Sequence, residues 1–359
     1  MTKKDIFVEL TVTDNCNCNC KYCFERKHVQ HKEFNLAEQQ RQISLLTDLA
    51  DNLDLSKYDS LTISFWGGEP FLNLDYVISI IQSTCKHDYV RYNFYSNGTL
   101  VEAYKKFLSM DFISCIRDRL RIQLSYDGEP IHSQQRADNS KQIFEVADML
   151  KDARIHFSFK ATLPFSMIRH MPDAWESYKK LYIKYGKAIS YSPTLDTDDN
   201  DVTKLPEFEA ALLKICAKEF NFIRCTGHTL MSWFNAKKMS CNVNHSIFIH
   251  DNGDMFLCHG CPYKNNNTNF KVATTSNVKH LIDVIESKCD VDLDLKTSCK
   301  DCPATYCAVC HITNIDENEQ PAVCWNANRD CNSSRCKFFK LFGKYNKLLN
   351  YSVIKYRKK

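Results

Sequence analysis

Several features of membrane and exported proteins are missing from this sequence. No run reaches the roughly 18 consecutive apolar residues that a transmembrane helix needs. The first residues, MTKKDIFVELTVTDN, include two lysines but no apolar stretch before a cleavage site, so they do not predict a signal peptide. We therefore expect a cytoplasmic protein that has no membrane partner.

The sequence also lacks a strong excess of charge of one sign. Its net charge of +4 is too small by itself to indicate nucleic acid or a membrane surface, so a nucleic-acid partner is disfavoured. No internal repeat or low-complexity tract is present, and a repeat architecture is therefore not expected. Hydrophobic residues make up 44% and charged residues 25%, as in ordinary globular proteins, and 359 residues suggest two domains.

Cysteine is the residue type that is over-represented, with 19 copies. In an exported protein, such a count would indicate disulfides. Here the count is odd, the chain is far longer than a disulfide-stapled miniprotein, and no export signal is recognised. Spaced cysteines in a cytosolic chain more often bind metal or take part in catalysis. Three of them, Cys85, Cys115 and Cys216, lie on helix-like stretches and are interpreted as plain buried thiols.

The first two-thirds of the chain alternates short apolar segments with amphipathic segments. The predicted strands are Ile6–Thr13, Leu61–Trp66, Val90–Ser96, Leu120–Ser125, Ile155–Thr162 and Ala188–Thr194. The predicted helices between them include Leu36–Leu53, Leu74–Cys85, Val101–Phe112 and Ile143–Leu150. Repeated strand–helix units predict an α/β fold with a parallel sheet, closed into a full or partial barrel. An open doubly wound sheet is the alternative.

The texture of the sequence changes in its last third. Residues 195–205 are polar and acidic and predict a loop, and eleven of the nineteen cysteines lie beyond Cys225. We therefore predict a barrel over residues 1–205, a linker or helix over 206–224, and a cysteine-rich region with a basic tail over 225–359.

Three cysteines follow the first predicted strand with the spacing C-x3-C-x2-C, namely Cys16, Cys20 and Cys23. Three thiolates on one tight loop can bind three irons of a [4Fe–4S] cube and leave the fourth iron without a protein ligand. An open metal position is typical of catalytic rather than structural sites. Cys18 lies inside the same loop and leaves two alternatives open, a C-x-C spacing and a zinc knuckle that uses all four cysteines.

The segment TDNCNCNCKYCF resembles the cluster loop of the radical S-adenosylmethionine (SAM) superfamily, including an aromatic residue, Tyr22, before the last cysteine. The resemblance implies a partial (β/α)6 barrel and a [4Fe–4S] cluster whose open iron is chelated by SAM. It further implies one-electron cleavage of SAM to methionine and a 5′-deoxyadenosyl radical, which abstracts hydrogen from the substrate. An external donor of the flavodoxin or ferredoxin type would supply the electron.

Further motifs follow the next three predicted strands, at the edge where ligand sites of parallel α/β folds form. They are Gly67-Gly68-Glu69-Pro70, Ser96-Asn97-Gly98-Thr99, and Ser125-Tyr126-Asp127-Gly128 followed by Arg136. In the superfamily, the first of these contacts the amino group of SAM. The resemblance implies that the other two contact its ribose and carboxylate through Ser96, Asn97, Ser125, Asp127 and Arg136. An arginine suits a carboxylate because its planar fork binds both oxygens.

The C-terminal cysteines resemble the SPASM extension of radical SAM enzymes that modify peptides and proteins, a small cysteine-rich domain with auxiliary iron–sulfur clusters. The resemblance assigns the first auxiliary cluster to Cys241, Cys258 and Cys310, and the second to Cys299, Cys302, Cys307 and Cys324. The spacing within the quartet departs from the usual pattern. Other candidate ligands are Cys261 or Cys225 for the first cluster and Cys331 or Cys336 for the second. Alternatively, the first cluster leaves one iron open for the substrate. A zinc site formed by Cys299, Cys302, Cys307 and Cys310 is the alternative.

Two substrate classes fit the SPASM resemblance. One is a ribosomally made peptide that receives a thioether, carbon–carbon or related cross-link, and the other is a sulfatase whose cysteine or serine is oxidised to formylglycine. Sulfatase-maturing enzymes have an aspartate where this sequence has His259, which weakens the sulfatase hypothesis. His259 could still act as a catalytic base.

Two observations concern the partner of the enzyme. Only Met1–Lys4 precede the first strand, so a peptide-recognition domain would have to be a separate protein, or the substrate is bound in another way. The tail, residues 340–359, has seven basic residues and no acidic one, with interleaved tyrosines, which fits an acidic leader peptide or single-stranded nucleic acid. A radical SAM enzyme that acts on a nucleoside or small metabolite is therefore a third hypothesis. The alternative is that this tail is a solvated terminal helix without a binding role.

Overall fold

The computed structural model describes residues 4–23, 33–194, 202–231, 246–256, 271–274 and 278–288, together with residues 341, 344 and 345. The chain forms two compact units. The first comprises Met1–Leu124, Lys141–Phe157 and Asn242–Leu293, and the second comprises Ser125–Ser140, Ser158–Cys241 and Asp294–Lys359.

Strands and helices alternate along most of the described chain. The strands are β1 Lys4–Thr13, β2 Tyr58–Gly67, β3 Val90–Ser96, β4 Leu120–Ser125, β5 His156–Pro164, β6 Ile189–Thr194, β7 Ser246–Ile249, β8 Asp254–Phe256 and β9 Lys271–Thr274. The helices are α1 Leu36–Asp51, α2 Leu74–Thr84, α3 Val101–Leu108, α4 Ile113–Ile116, α5 Ile131–Gln135, α6 Ser140–Asp152, α7 Met171–Tyr185, α8 Leu205–Thr226 and α9 Val278–Lys288.

The first unit is built on a sheet in which the strands follow the order β4-β3-β2-β1-β7-β8-β9. Strands β4, β3, β2, β1 and β7 run parallel, and β8 and β9 are added antiparallel. Strand β1 has parallel neighbours on both sides, and its apolar residues Ile6, Val8, Leu10 and Val12 are at most 1% exposed. A strand buried in this way occupies the interior of a parallel sheet covered by helices.

Helices α1, α2 and α3 cover this sheet through apolar faces. The side chain of Asn35 caps α1 by accepting a hydrogen bond from the main-chain N–H of Glu38, and Leu46 and Leu49 of α1 are fully buried. Behind β3, Phe71 stacks on Tyr104 with ring centroids 3.8 Å apart. This packing fixes the turn that follows β2, on which Phe71 lies.

The second unit contains the parallel pair β5 and β6, which runs from Phe159 opposite Ile189 to Pro164 opposite Thr194. Helices α7 and α8 pack together, and each ends at a glycine in the left-handed conformation, Gly186 and Gly227. After α8, the main-chain carbonyl of Leu230 accepts a hydrogen bond from the N–H of Ile189 at 2.7 Å, which joins that segment to β6.

The observed elements confirm the predicted α/β fold with a parallel sheet, and the six predicted strands correspond to β1–β6 with small shifts at their ends. Helix α8 spans the segment 206–224, for which a linker or helix was predicted, whereas helix α7 and strands β7–β9 were not predicted. The division of the chain at residues 205 and 225 stays a prediction, and the first unit includes Asn242–Leu293 because β7 pairs with β1. Among the helices that the structure describes, none is long and apolar enough to cross a membrane.

Candidate active site

Three loops follow the carboxyl ends of neighbouring strands in the first unit. Strands β1, β2 and β3 are parallel neighbours and end at Thr13, Gly67 and Ser96. Their following loops therefore leave the sheet at the same edge. The first carries Cys16, Cys20 and Cys23, and we call residues 14–23 the cysteine loop.

The cysteine loop is hydrogen-bonded to the glycine turn after β2. The main-chain N–H of Gly68 donates to the carbonyl of Thr13 at 2.8 Å, and that of Glu69 donates to the carbonyl of Asn15 at 2.9 Å. A Cβ atom on Gly68 would lie 2.2 Å from the Asn15 oxygen, and Gly67 has a φ of +113°. Glycine is therefore required at both positions, at Gly68 by close approach and at Gly67 by conformation.

The Glu69 carboxylate joins the turn after β2 to the turn after β3. It is 1% exposed and accepts hydrogen bonds from the Ser96 hydroxyl at 2.8 Å and the Asn97 main-chain N–H at 2.7 Å. It also accepts a hydrogen bond from the N–H of Phe71 at 3.2 Å. A buried carboxylate needs such donors, and here they come from two different strand ends.

The Asn97 side chain connects the turn after β3 to the cysteine loop. Its Nδ2 donates to Oδ1 of Asn17 at 2.8 Å and lies 4.0 Å from Sγ of Cys16. The Asn17 side chain in turn donates to the Thr99 hydroxyl at 2.8 Å. Asn17 and Thr99 were not predicted as site residues, because their pairing depends on the relative positions of two loops.

The three cysteines of the loop differ in burial, and the sulfur of Cys16 lies beside hydrogen-bond donors. Cys20 is buried and Cys16 and Cys23 are half-buried, and the N–H of Cys18 donates to Sγ of Cys16 at 3.4 Å. The side-chain hydrogen bond with Cys18, together with burial, raises the pKa of the Cys16 thiol. Without a metal this sulfur is held as a thiol, whereas an iron cluster favours the thiolate. Three cysteines on one loop, with N–H donors beside the sulfur of Cys16, fit the predicted [4Fe–4S] cluster.

The remaining predicted SAM contacts lie in the second unit and form a cluster of their own. Asp127 is 1% exposed, and its carboxylate accepts hydrogen bonds from the Arg136 Nε at 3.0 Å and the Thr162 N–H at 2.8 Å. The Tyr178 hydroxyl donates to the main-chain carbonyl of Asp127 at 2.5 Å, and Ser125 is half-buried. Arg136 thus pairs with Asp127 through one edge of its guanidinium group.

A buried histidine, His132, supports this second cluster. Its Nδ1 accepts a hydrogen bond from the N–H of Asp127 at 3.3 Å, and its Nε2 lies 2.7 Å from Oδ1 of Asn139. Burial lowers the pKa of His132, so the ring is neutral and its Nε2 carries the proton donated to Asn139. His132 lies on α5 and Arg136 directly follows this helix, and both contact Asp127, His132 at the main-chain N–H and Arg136 at the carboxylate. The four-residue spacing of the two along the chain is the sequence signal for this role.

The predicted auxiliary-cluster residues lie outside the described residues. They are Cys241, Cys258, Cys261, Cys299, Cys302, Cys307, Cys310 and Cys324, together with His259. Their assignment stays a prediction.

Residues 10–166 match the model of the Radical SAM superfamily. This range includes the cysteine loop and all three motifs at the ends of β2, β3 and β4. The chain therefore contains a radical SAM domain over these residues, and this domain supports an enzymatic function. Members of this superfamily use a [4Fe–4S] cluster and SAM, which agrees with the thiols and polar groups described above.

Three relatives were found among characterised and uncharacterised proteins. An uncharacterised protein of Methanocaldococcus jannaschii is 26% identical over 269 residues, 69% of this chain and 83% of that protein. The radical SAM cyclopropyl synthase TigE of Paramaledivibacter caminithermalis is 25% identical over 44% of this chain and 35% of its own length. A cysteine-type anaerobic sulfatase-maturating enzyme of Clostridium novyi is 23% identical over 51% of this chain and 50% of its own length. The alignments span half or less of the two named enzymes.

Solved structures share the fold over nearly the whole chain. The native anSMEcpe structure with bound AdoMet and Cp18Cys peptide has a TM-score of 0.68 and 16% identity, and the alignment covers 97% of this chain and 99% of that one. The same protein with bound AdoMet alone also has a TM-score of 0.68, with 15% identity. At such identity the likeness shows the fold, and it supports the partial barrel of the radical SAM type.

Proposed function

We propose that this radical SAM enzyme abstracts a hydrogen atom from a side chain of a peptide or protein substrate. The proposed radical chemistry is supported by one observation: hydrogen bonds of Gly68, Glu69 and Asn97 connect the cysteine loop with the turns after β2 and β3. The substrate class is supported by the likeness to the anSMEcpe structure that contains a peptide and to a sulfatase-maturating enzyme.

In this proposal Cys16, Cys20 and Cys23 are the cluster ligands, and the iron that they leave open is the position for SAM. When bound, the cluster and SAM supply the one-electron cleavage that yields a 5′-deoxyadenosyl radical. An external donor of the flavodoxin or ferredoxin type provides the electron. Cys18 is not a ligand, and its main-chain N–H instead stabilises the sulfur of Cys16.

The other predicted residues bind and orient SAM. The main chain at Gly67 and Gly68 contacts its amino group, with Pro70 fixing the turn and Tyr22 adding an aromatic surface. Glu69 orders the groups beside it, since its carboxylate fixes the Ser96 hydroxyl and the Asn97 N–H. Ser96, Asn97 and Ser125 supply hydrogen bonds to the ribose. Arg136, aligned by Asp127, pairs with the SAM carboxylate.

The C-terminal cysteines are proposed to hold auxiliary iron–sulfur clusters, with Cys241, Cys258, Cys261 and Cys310 in one group and Cys299, Cys302, Cys307 and Cys324 in the other. A cluster near the radical site can accept the electron released when a substrate radical becomes a closed-shell product. It can also bind a substrate thiolate, which lowers the effective pKa of that thiol. Both roles suit the formation of a thioether or carbon–carbon cross-link in a ribosomally made peptide.

Oxidation of a sulfatase cysteine or serine to formylglycine is the second candidate function. The likeness to the sulfatase-maturating enzyme of Clostridium novyi favours it. In this alternative His259, which follows Cys258, is the base that removes a proton from the substrate.

The reconstituted enzyme, incubated without oxygen with SAM and dithionite, distinguishes the candidates. Three substrates are offered separately: a short peptide encoded beside this gene, a peptide with a sulfatase cysteine motif, and a pool of nucleosides and small metabolites. We expect 5′-deoxyadenosine and a loss of hydrogen mass in the neighbouring peptide. Formylglycine in the second peptide would select the sulfatase alternative. Turnover of a nucleoside or metabolite alone would overturn the peptide proposal.

A further inference from the structure

A buried histidine lies beside the start of the cysteine loop without belonging to any of the motifs above. Strand β7 pairs in parallel with β1, from Phe7 opposite Ser246 to Leu10 opposite Ile249. The residue after β7, His250, therefore leaves the sheet at the same edge as the end of β1. Its side chain is 12% exposed, and the neighbouring Asp14 side chain is 6% exposed.

The two ring nitrogens of His250 face two different carboxylates. Nε2 lies 3.4 Å from Oδ1 of Asp14, and Nδ1 lies 2.8 Å from Oδ1 of Asp251. A carboxylate only accepts hydrogen bonds, so each ring nitrogen must carry a proton to donate one. The arrangement is therefore that of an imidazolium between two anions. Burial alone lowers the pKa of His250, but its hydrogen bonds with Asp14 and Asp251 outweigh that effect and raise the pKa to about 10.

The main chain of His250 is fixed by α1 and by the β7–β8 turn. Its carbonyl accepts hydrogen bonds from the Gln42 Nε2 at 3.1 Å and from the Gly253 N–H at 2.9 Å. Gln42 is itself held, since it accepts a hydrogen bond from the Tyr76 hydroxyl at 2.5 Å and donates to Glu38 at 3.1 Å. His250 is therefore a fixed point against which Asp14 is placed.

Asp14 is the first residue after β1, on the segment that leads to Cys16. The carbonyls on either side of it, those of Thr13 and Asn15, receive the hydrogen bonds from the glycine turn after β2. The main chain at Asp14 is thus held from the β2 side, and its carboxylate contacts His250, which follows β7 on the other side of β1. Cys16 follows two residues later.

We infer that His250 is a positioning residue for the catalytic cluster, which it serves by holding Asp14 and with it the start of the cysteine loop. The inference rests on the proposed function, since it takes Cys16 as a cluster ligand. A divalent cation is the competing occupant, because Asp14, His250 and Asp251 place ligand atoms within 4.8 Å of one another. The two ring nitrogens contact different carboxylates, whereas a single metal ion would bind only one of the nitrogens. The contacts therefore favour a protonated His250 ring over a bound metal ion.

The test compares His250→Gln with a matched variant, His87→Gln. His87 also pairs with a carboxylate, that of Asp51 at 2.6 Å, but it precedes β3 and so lies toward the opposite ends of the strands. Each protein is reconstituted without oxygen. Two quantities are measured: the rate of iron release to a chelator, and the EPR spectrum of the reduced cluster before and after SAM is added.

We expect His250→Gln to release iron from the catalytic cluster about 10-fold faster, as is typical when a residue that supports a metal ligand is lost. Its EPR spectrum with SAM should shift, a change that lower overall stability does not produce. His87→Gln should match the wild type in both measurements. A His250→Gln protein that also matches the wild type overturns the inference and leaves the proposed function intact. A wild type without any [4Fe–4S] signal overturns the proposed function itself.

Two further measurements keep the test decisive. If His250→Gln does not fold, Asp14→Asn removes the negative charge that pairs with the imidazolium while leaving the His250–Asp251 pair, and it should show the same fast release and spectral shift. Unchanged release in Asp14→Asn counts against the inference. Metal analysis should find that, apart from iron, no metal is present in stoichiometric amount in the wild type and absent from His250→Gln. If the wild type contains one zinc or manganese per chain and this variant does not, then Asp14, His250 and Asp251 form a metal site and not an ion pair.

Discussion

The Glu69 carboxylate accepts a hydrogen bond from the main-chain N–H of Asn97 at 2.7 Å, and this bond connects the turn after β2 with the turn after β3. The same oxygen pair also receives the Ser96 hydroxyl and the Phe71 N–H. One side chain that is 1% exposed thereby aligns two segments of the candidate active-site edge, the turn after β2 and the turn after β3.

Replacing this carboxylate with an amide should weaken both the fold and SAM binding. In Glu69→Gln an NH2 group would face donors where an oxygen now accepts, and a buried unsatisfied group costs about 1–3 kcal/mol. The free energy of unfolding of the metal-free protein should fall by that amount, and the KM for SAM should rise. Glu102→Gln is the control, because Glu102 pairs with Lys105 on an exposed helix face and should leave both quantities unchanged. Equal behaviour of the two variants would contradict the role of Glu69.

The triple variant of Cys16, Cys20 and Cys23 to alanine should abolish cleavage of SAM to 5′-deoxyadenosine. Some iron should remain if the C-terminal cysteines hold further clusters. Chromatography of the reaction mixture measures the 5′-deoxyadenosine, and elemental analysis measures the iron. A triple variant that still cleaves SAM with dithionite would show that the catalytic cluster is bound elsewhere.

Changing Cys18 to serine should leave SAM cleavage largely intact, because Cys18 contributes its main-chain N–H to Cys16 and serine keeps that donor. The comparison uses the same assay, with Cys115→Ser as a control. The prediction that Cys115 is buried was wrong, since this cysteine is exposed. Complete loss of the cluster in Cys18→Ser alone would favour the C-x-C alternative.

Gly68→Ala should separate the glycine turn from the cysteine loop, since its Cβ would lie 2.2 Å from the Asn15 carbonyl oxygen. Overpacking of this kind costs about 1–3 kcal/mol, and it falls on the contact that orders the loop. Gly186→Ala is the control: no atom lies within 4 Å of its Cβ, and its cost of about 1–2 kcal/mol comes from the left-handed backbone alone. Both variants should lose stability, but only Gly68→Ala should lose SAM cleavage.

The stability of the protein should fall as the pH rises from about 4.5 to about 7 because of Glu219. Burial raises the pKa of this carboxyl from 4.5 to about 7, so the folded state binds a proton that the unfolded state has already released in this range. Its contribution is complete below pH 4.5 and is lost as the pH passes about 7, to a total on the order of 3 kcal/mol.

The variant Glu219→Gln should remove this pH dependence. Its amide oxygen can still accept the hydrogen bond that the Trp175 indole now donates to Glu219 at 2.7 Å. Urea unfolding of wild type and variant between pH 5 and pH 8 measures the difference. Parallel stability curves for the two proteins would show that Glu219 does not titrate in this window.

The parallel strands were predictable because apolar runs and glycine turns are local properties of the sequence. Gly67-Gly68-Glu69 follows β2 directly, so its place at the active-site edge could be read from the chain. The internal pairings of the site could not be read in the same way. Asp127 and Arg136 were predicted as SAM contacts, and the structure adds that they contact each other.

The pairing of His250 with Asp14 had no signal in the sequence. Strand β7 is only four residues long and comes after the alternation of strands and helices has faded. Its parallel pairing with β1, which brings the two side chains together, is set by tertiary packing rather than by local propensity. For the same reason the predicted boundary near residue 225 gave no hint that a later segment returns to the first sheet.

The position of β1 has a consequence for synthesis on the ribosome. This strand leaves the ribosome first among those described, yet one of its two neighbours, β7, begins at Ser246. Until that residue has emerged, one edge of β1 carries unpaired N–H and C=O groups, the condition under which nascent chains pair wrongly with one another. We therefore expect the nascent chain to depend on chaperones until β7 is made, and the cluster to be inserted only after translation has passed that point.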